Sequence, residues 1–216
     1  MIWDDDNTLF GKNGKPNKKE DDAPEQTRRT SRRSTEVYEL SPKYEYRRAF
    51  SESKLLDAIK EFKFENGKSY NFITAGDVDS LSYLKAIVRA QHIKYCLLST
   101  WCMAAEDVFQ LKLWLEEGKI DHLDCYLGEI FPSSYRIEYK MMRELMQQYN
   151  GRLVIFRNHS KIYAGYGDKF PFAIQTSANI NTNPRTEQGN ITIDQGLYEF
   201  YKQYFDGIKS FVKNGE

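Results

Sequence analysis

The sequence predicts an α/β domain in which a mixed β-sheet is layered between helices. Up to about residue 157, short apolar runs alternate with amphipathic stretches of helical period, the rhythm of parallel strands joined by crossover helices. From His159 onward, strand-like segments follow one another with no helix between them, and a last helical stretch closes the chain. The sheet must therefore combine parallel and antiparallel strands. A chain of 216 residues with 40% hydrophobic content is enough for one domain with its own core.

Residues 51–62 have helical spacing, with Ser51 able to cap the start. Residues 69–74 form a strand that ends in Ala75-Gly76-Asp77. Residues 79–91 put Leu81, Leu84, Ile87 and Val88 on one helical face. Residues 93–99 are apolar without helical period, as in a buried strand. Residues 104–117 carry Val108, Leu111 and Leu115 on a second amphipathic helix, closed by Gly118. A strand at 120–127, a helix at 135–149 ending in Asn150-Gly151, and a strand at 152–157 complete this half. Strands at 159–164, 172–176 and 190–193 follow, with Gly165-Tyr166-Gly167-Asp168 read as a hairpin turn. A helix over 195–212 closes the chain, and no internal repeat is present.

Residues 1–45 differ from the rest. Lys12, Lys15, Lys18 and Lys19 precede Glu20, Asp21 and Asp22, then Arg28, Arg29, Arg32 and Arg33, and large apolar side chains are nearly absent between residues 11 and 35. Such a segment cannot bury enough surface to offset its ordering entropy. It predicts a charged, disordered tail, available to a further partner, ahead of a domain at 46–216. The arginines could touch a phosphate backbone, although a solvated tail is the plainer reading.

The 31 basic and 31 acidic residues balance. No global field attracts nucleic acid, so such binding would need a local patch. Cys96, Cys102 and Cys125 are odd in number and lack framework spacing, which argues against a disulfide scaffold. Cys96 and Cys125 read as small core residues. No Cys/His cluster has metal-ligand spacing, and nothing calls for a cofactor. The N-terminus lacks a signal pattern and no apolar run reaches membrane-spanning length, so a reduced, cytoplasmic setting is expected.

The chemistry concentrates between residues 159 and 187. His159-Ser160-Lys161 places a histidine and a lysine two residues apart, on one side of an extended segment. Thr176-Ser177-Ala178-Asn179 and Asn183-Pro184-Arg185-Thr186-Glu187 follow. A phosphodiester is anionic and resists water, and covalent catalysis splits its displacement into two easier steps. A neutral imidazole is a competent nucleophile when a carboxylate holds its other nitrogen. Lys161 supplies a point charge and Asn179 supplies amide donors to the phosphate oxygens. Ser177 adds a hydroxyl donor or braces Asn179, and Glu187 is the carboxylate best placed to orient His159. The plain alternative is a polar surface hairpin followed by ordinary Asn/Pro turn chemistry. It does not explain why Ser177 and Asn179 end an apolar run so near a histidine.

These residues resemble the signature of the phospholipase D superfamily: His-x-Lys, an Asp a few residues on, then Gly-Ser-x-Asn. His159-Ser160-Lys161 matches the first element and Thr176-Ser177-Ala178-Asn179 the last, with threonine replacing glycine. The element order over 69–212 agrees with one α/β half of that family, roughly two-thirds of the chain. The resemblance implies catalytic roles for His159, Lys161, Asn179 and Glu187, and substrate-binding roles for Ser177 and Arg185. Tyr166 occupies the usual Asp position. Asp168, two residues later, takes the acidic role if the hairpin is longer, and is counted with Ser177 and Arg185 among the substrate-binding residues.

Family enzymes use two such motifs at one site, one histidine attacking and the other protonating the leaving oxygen. This chain has one. His92-Ile93-Lys94 repeats the letters at a helix-to-strand junction without a Ser-x-Asn partner, and reads as surface. His122 reads as a packed or edge histidine. The resemblance therefore implies a homodimer with a shared site and a metal-independent nuclease acting on DNA or RNA through a phosphohistidine. A membrane role is not expected, since no basic amphipathic helix is evident. Trp101, Tyr135 and Tyr166 could stack on bases. Two other readings remain: a module that keeps the fold without catalysis, and a component of a larger assembly joined through the tail.

Overall fold

The computed structural model describes residues 43–181 and 185–211. The charged segment predicted as a tail lies outside them, except for residues 43–45, which open the first helix. In chain order the elements are α1 (Lys43–Lys60), β1 (Ser69–Thr74), α2 (Ser80–Ala90), β2 (Ile93–Thr100), α3 (Ala105–Glu116), β3 (Leu123–Gly128), α4 (Phe131–Ser134), α5 (Arg136–Gln148), β4 (Leu153–Phe156), β5 (Ile162–Gly167), β6 (Pro171–Thr176), β7 (Glu187–Thr192) and α6 (Gln195–Asp206). The described strands form a seven-stranded sheet ordered β1-β7-β6-β5-β2-β3-β4. β2, β3 and β4 run parallel, and the other pairings are antiparallel. The sheet is mixed and flanked by helices, as expected. The parallel part is β2–β4, whose strands are joined by helices, whereas β1, also followed by a helix, pairs antiparallel with β7 at the far edge.

Alternate residues of one strand feed two cores. Cys96 and Leu98 of β2 join Leu84, Ile87, Leu111 and Tyr163 on one face. Tyr95 and Leu97 join Tyr198, Tyr201 and Phe205 of α6 on the other. β2 and β3 are buried almost throughout, which is why they read as continuous apolar runs. All three cysteines are buried free thiols.

Several expectations change. Ser51 does not cap a helix, because α1 already begins at Lys43. Its Oγ donates instead to Asp77 Oδ2 at 2.6 Å. The fourth α-helix, a single turn at Phe131–Ser134, has no counterpart in the sequence pattern. The glycines at 165 and 167 do not make a turn; both lie in β5. They are small because β2 approaches closely: a Cβ would stand 2.2 Å from Tyr95 O at Gly165 and 2.1 Å from His92 O at Gly167. The turn falls at Asp168–Phe170, where buried Gln91 Oε1 accepts from the Lys169 and Phe170 amides, each at 3.0 Å. α6 ends at Asp206 rather than 212. There Arg152 Nη1 donates to Asp206 O at 3.1 Å and Nη2 to Ile208 O at 2.5 Å, satisfying carbonyls at the helix end.

Candidate active site

β2 and β3 end on one edge of the sheet, the usual place for a site in an α/β sheet. Three connections converge there. The β2–α3 loop brings Trp101 and Cys102, the β4–β5 loop brings His159 and Lys161, and the β6–β7 loop brings Ser177 and Asn179. A parallel bridge between Met103 and Ile180 and the Ala104 N–H donated to Ile180 O at 3.1 Å tie the first loop to the third. Thr176 N donates to Lys161 O at 3.1 Å and ties the second to the third.

His159 and Lys161 precede β5 rather than lying in it, since the strand starts at Ile162. The loop is turned by Asn158, whose Oδ1 accepts from Ser160 N at 2.9 Å. His159 is exposed, and Lys161 is only 6% exposed. Lys161 Nζ donates to His159 Nδ1 at 3.0 Å and to His159 O at 2.7 Å. With Nδ1 accepting, the neutral ring carries its proton on Nε2. The Trp101 ring packs on the imidazole, centroids 5.3 Å apart at 49°. Burial pushes the Lys161 ammonium below its ordinary pKa, and Cys102 and Glu187 pull it partly back. A buried lysine with so few anionic neighbours is costly to keep, which marks it as more than a surface contact.

Asn179 sits where the α2 N-terminus meets the loop: Ser80 N donates to Asn179 O at 3.1 Å. Its Oδ1 is buried without a hydrogen-bond partner, so the amide is not fully committed within the protein. Ser177 Oγ donates to Glu187 Oε2 and accepts from Gln188 N at 3.0 Å. Glu187 thus takes its hydrogen bond from Ser177, while the His159 ring takes its own from Lys161. Glu187 remains within electrostatic reach of Lys161. The threonine in the glycine position has a local reason. Thr176 Oγ1 accepts from Ala178 N at 3.0 Å and donates to Gln188 O at 2.8 Å, so the hydroxyl closes the turn.

The structure does not bring Asp168 into this group. Asp168 follows β5 at the opposite end of the sheet, roughly 20 Å away at the rise of a strand. There its N–H donates to His92 O at 3.1 Å and its Oδ1 pairs with Lys94 Nζ at 3.0 Å. Because β5 continues through Tyr166 instead of turning, Tyr166 also lies at that end, packed with Tyr95 and Tyr198. Arg185 is exposed, and Asn183 lies outside the described residues. His92 and His122 are far from the site, paired with Asp121 and Asp124 at 2.9 Å each.

Two neighbours escaped the sequence reading. Asn158 could have been noticed as a turn former directly before the His-x-Lys motif. Cys102 carries no such signal. Burial pushes its thiol pKa up, while the Tyr135 hydroxyl and Lys161 offset this. Among the described residues no group of three or more His, Cys, Asp and Glu is arranged to hold a metal ion. No described helix is long and apolar enough to cross a membrane.

The sequence matches no protein-family model and no curated protein. Among solved structures the chain is similar to polyphosphate kinase from Porphyromonas gingivalis, at 12% identity and a TM-score of 0.51, over 74% of this chain and 28% of that one. It is also similar to NucT from Helicobacter pylori, at 14% identity and 0.47, over 64% and 93% of the two chains. TrmBL2, an archaeal chromatin protein, aligns at 10% identity and 0.47, over 76% and 61%. The chain spans little more than a quarter of the length of the polyphosphate kinase, and what the two share is a fold.

Proposed function

We propose that this chain, whose fold is phospholipase D-like, is a metal-independent phosphodiesterase acting on nucleic acid through a phosphohistidine. One observation carries this reading: exposed His159 rests directly on buried Lys161, at 3.0 Å, on the sheet edge where Asn179, Ser177 and Glu187 also gather. Lys161 and the Asn179 amide would hold the non-bridging oxygens of the phosphate, charge and donor acting together where charge builds in the transition state. A histidine nitrogen attacks phosphorus, the bond to the leaving oxygen breaks, and a second acid protonates that oxygen. Water then breaks the P–N bond, giving its proton to the same second group.

That second group is the partner subunit's His159 in a homodimer, since one chain supplies one motif. A ring that accepts from Lys161 at Nδ1 and keeps its proton on Nε2 would suit the acid. For the attacking role the ring must exchange Lys161 for Glu187 at Nδ1, with Ser177 releasing the carboxylate. Nucleic acid is the substrate class that the family resemblance implies, and half-exposed Trp101 and Tyr135 offer rings for bases.

The test is cleavage of single- and double-stranded DNA and RNA in EDTA by the dimeric protein, with acid-labile phosphate trapped on histidine. Mixed dimers of wild type and His159→Asn should be nearly inactive. Near half-activity would refute a shared site, and cleavage by His159→Ala at the wild-type rate would sink the enzyme reading. The engagement of Glu187 by Ser177 favours one alternative, a nucleic-acid-binding module that keeps the fold without turnover. It would bind the same polymers and cleave none of them.

A further inference from the structure

We infer that Asn158 is a positioning residue, acting with Ser99 and Ser160 to set the place of His159; the inference rests on His159–Lys161 being the reacting pair. Asn158 is 5% exposed, and its side chain is committed on both sides. Nδ2 donates to Ser99 Oγ at 2.9 Å, Thr100 O at 3.2 Å and Tyr126 O at 3.0 Å. Oδ1 accepts from Ser160 N at 2.9 Å and from Ser160 Oγ at 2.7 Å. Its backbone N–H donates to Glu129 Oε2 at 3.2 Å. Ser160 Oγ also lies 2.6 Å from Ser99 Oγ.

One amide therefore joins the ends of β2 and β3 to the turn that carries His159. The two N–H donors and both lone pairs are in use, which an aspartate or a leucine cannot reproduce. This also accounts for the middle residue of the His-x-Lys motif. Ser160 turns inward to the clamp, which leaves His159 outward. The loop is pinned on one side of His159 by Asn158 and on the other by Thr176 N at Lys161 O, 3.1 Å. The Trp101 wall follows Thr100, whose carbonyl Asn158 also holds. The turn that carries His159 and the strand end that leads into Trp101 thus share one anchor, and an ångström of slack there is enough to cost about 100-fold in rate.

The experiment compares Asn158→Ala and Asn158→Asp with Ser99→Ala and Ser160→Ala in the full chain. Turnover of bis(p-nitrophenyl) phosphate is measured beside the NMR pH titration of the histidine rings, with His92 and His122 as internal references. Asn158→Ala should lower kcat about 10- to 100-fold with KM within about 3-fold. Its His159 ring signals should shift or broaden while those of His92 and His122 stay put. The serine variants should follow in the same direction with smaller effects. If kcat per folded molecule stays within about 2-fold of wild type and His159 titrates unchanged, Asn158 only stabilises the fold and the inference is overturned. If wild type turns over nothing, the phosphodiesterase reading fails, and the His159 titration alone still decides whether Asn158 places the ring. Should Asn158→Ala not fold, the serine variants decide the matter by the same two measurements.

Discussion

The two ends of the sheet use the same residue types to opposite purposes. At the start of β2 and β3, each histidine has a carboxylate: His92 with Asp121, His122 with Asp124, both at 2.9 Å. Asp124 is buried and also accepts from Tyr95 Oη and Arg152 N, each at 2.8 Å. Polar groups there are partnered, and the arrangement is what a stable hydrogen-bond cluster needs. At the other end His159 meets a lysine instead of a carboxylate, the lysine is buried, and Asn179 keeps an unpartnered oxygen. Polar groups left uncompensated cost stability, a cost that proteins tolerate at functional sites.

The contrast can be broken most directly at the histidines. His159→Ala should reduce phosphodiester turnover at least about 1,000-fold, whereas His92→Ala and His122→Ala should stay within about 3-fold. Comparable losses in all three would erase the distinction between the ends. Next, Lys161→Met should lower kcat/KM about 100-fold or more while raising Tm by about 2 °C or more, because a buried ammonium is removed. A fall in Tm would show that Lys161 supports the fold.

The pH dependence sharpens the same point. Burial lowers the Lys161 pKa, so its ammonium is disfavoured by the fold. The resulting destabilisation is fully present below the folded-state pKa and is relieved as pH rises through it toward the unfolded value. The Tm advantage of Lys161→Met should therefore shrink over that alkaline window. The alkaline limb of wild-type kcat/KM should fall below the range of an ordinary lysine, since only the ammonium neutralises phosphate. A limb at or above that range would contradict it.

At the other end the effects belong to stability. Asp124→Ala should cost about 2–4 kcal/mol in chemical denaturation, leaving three partners unmatched, with activity per folded molecule unchanged. Smallest of all, Asp168→Ala removes a half-exposed pair with Lys94 and should change stability by no more than about 0.5 kcal/mol. Turnover should be untouched, and a large loss would return Asp168 to the substrate-binding residues.

Sequence alone determined the alternation of strands and helices, the mixed sheet and the cluster of His159, Lys161, Ser177, Asn179 and Glu187. These follow from local periodicity and from chemistry carried by neighbours in the chain, which short-range rules can read. It misled at Gly165 and Gly167, because a glycine needed for close strand approach looks the same as one needed for a turn. That error carried Asp168 toward the site, when the continuing strand takes it to the far end. Only the tertiary structure decided that Lys161 is buried, that Glu187 is held by Ser177, and that Asn158 ties the His159 turn to β2 and β3. Each depends on segments up to about sixty residues apart in the chain, and no local pattern records where such segments meet. The partner, a lysine rather than a carboxylate, and not residue type, separates the histidine proposed for chemistry from the other two.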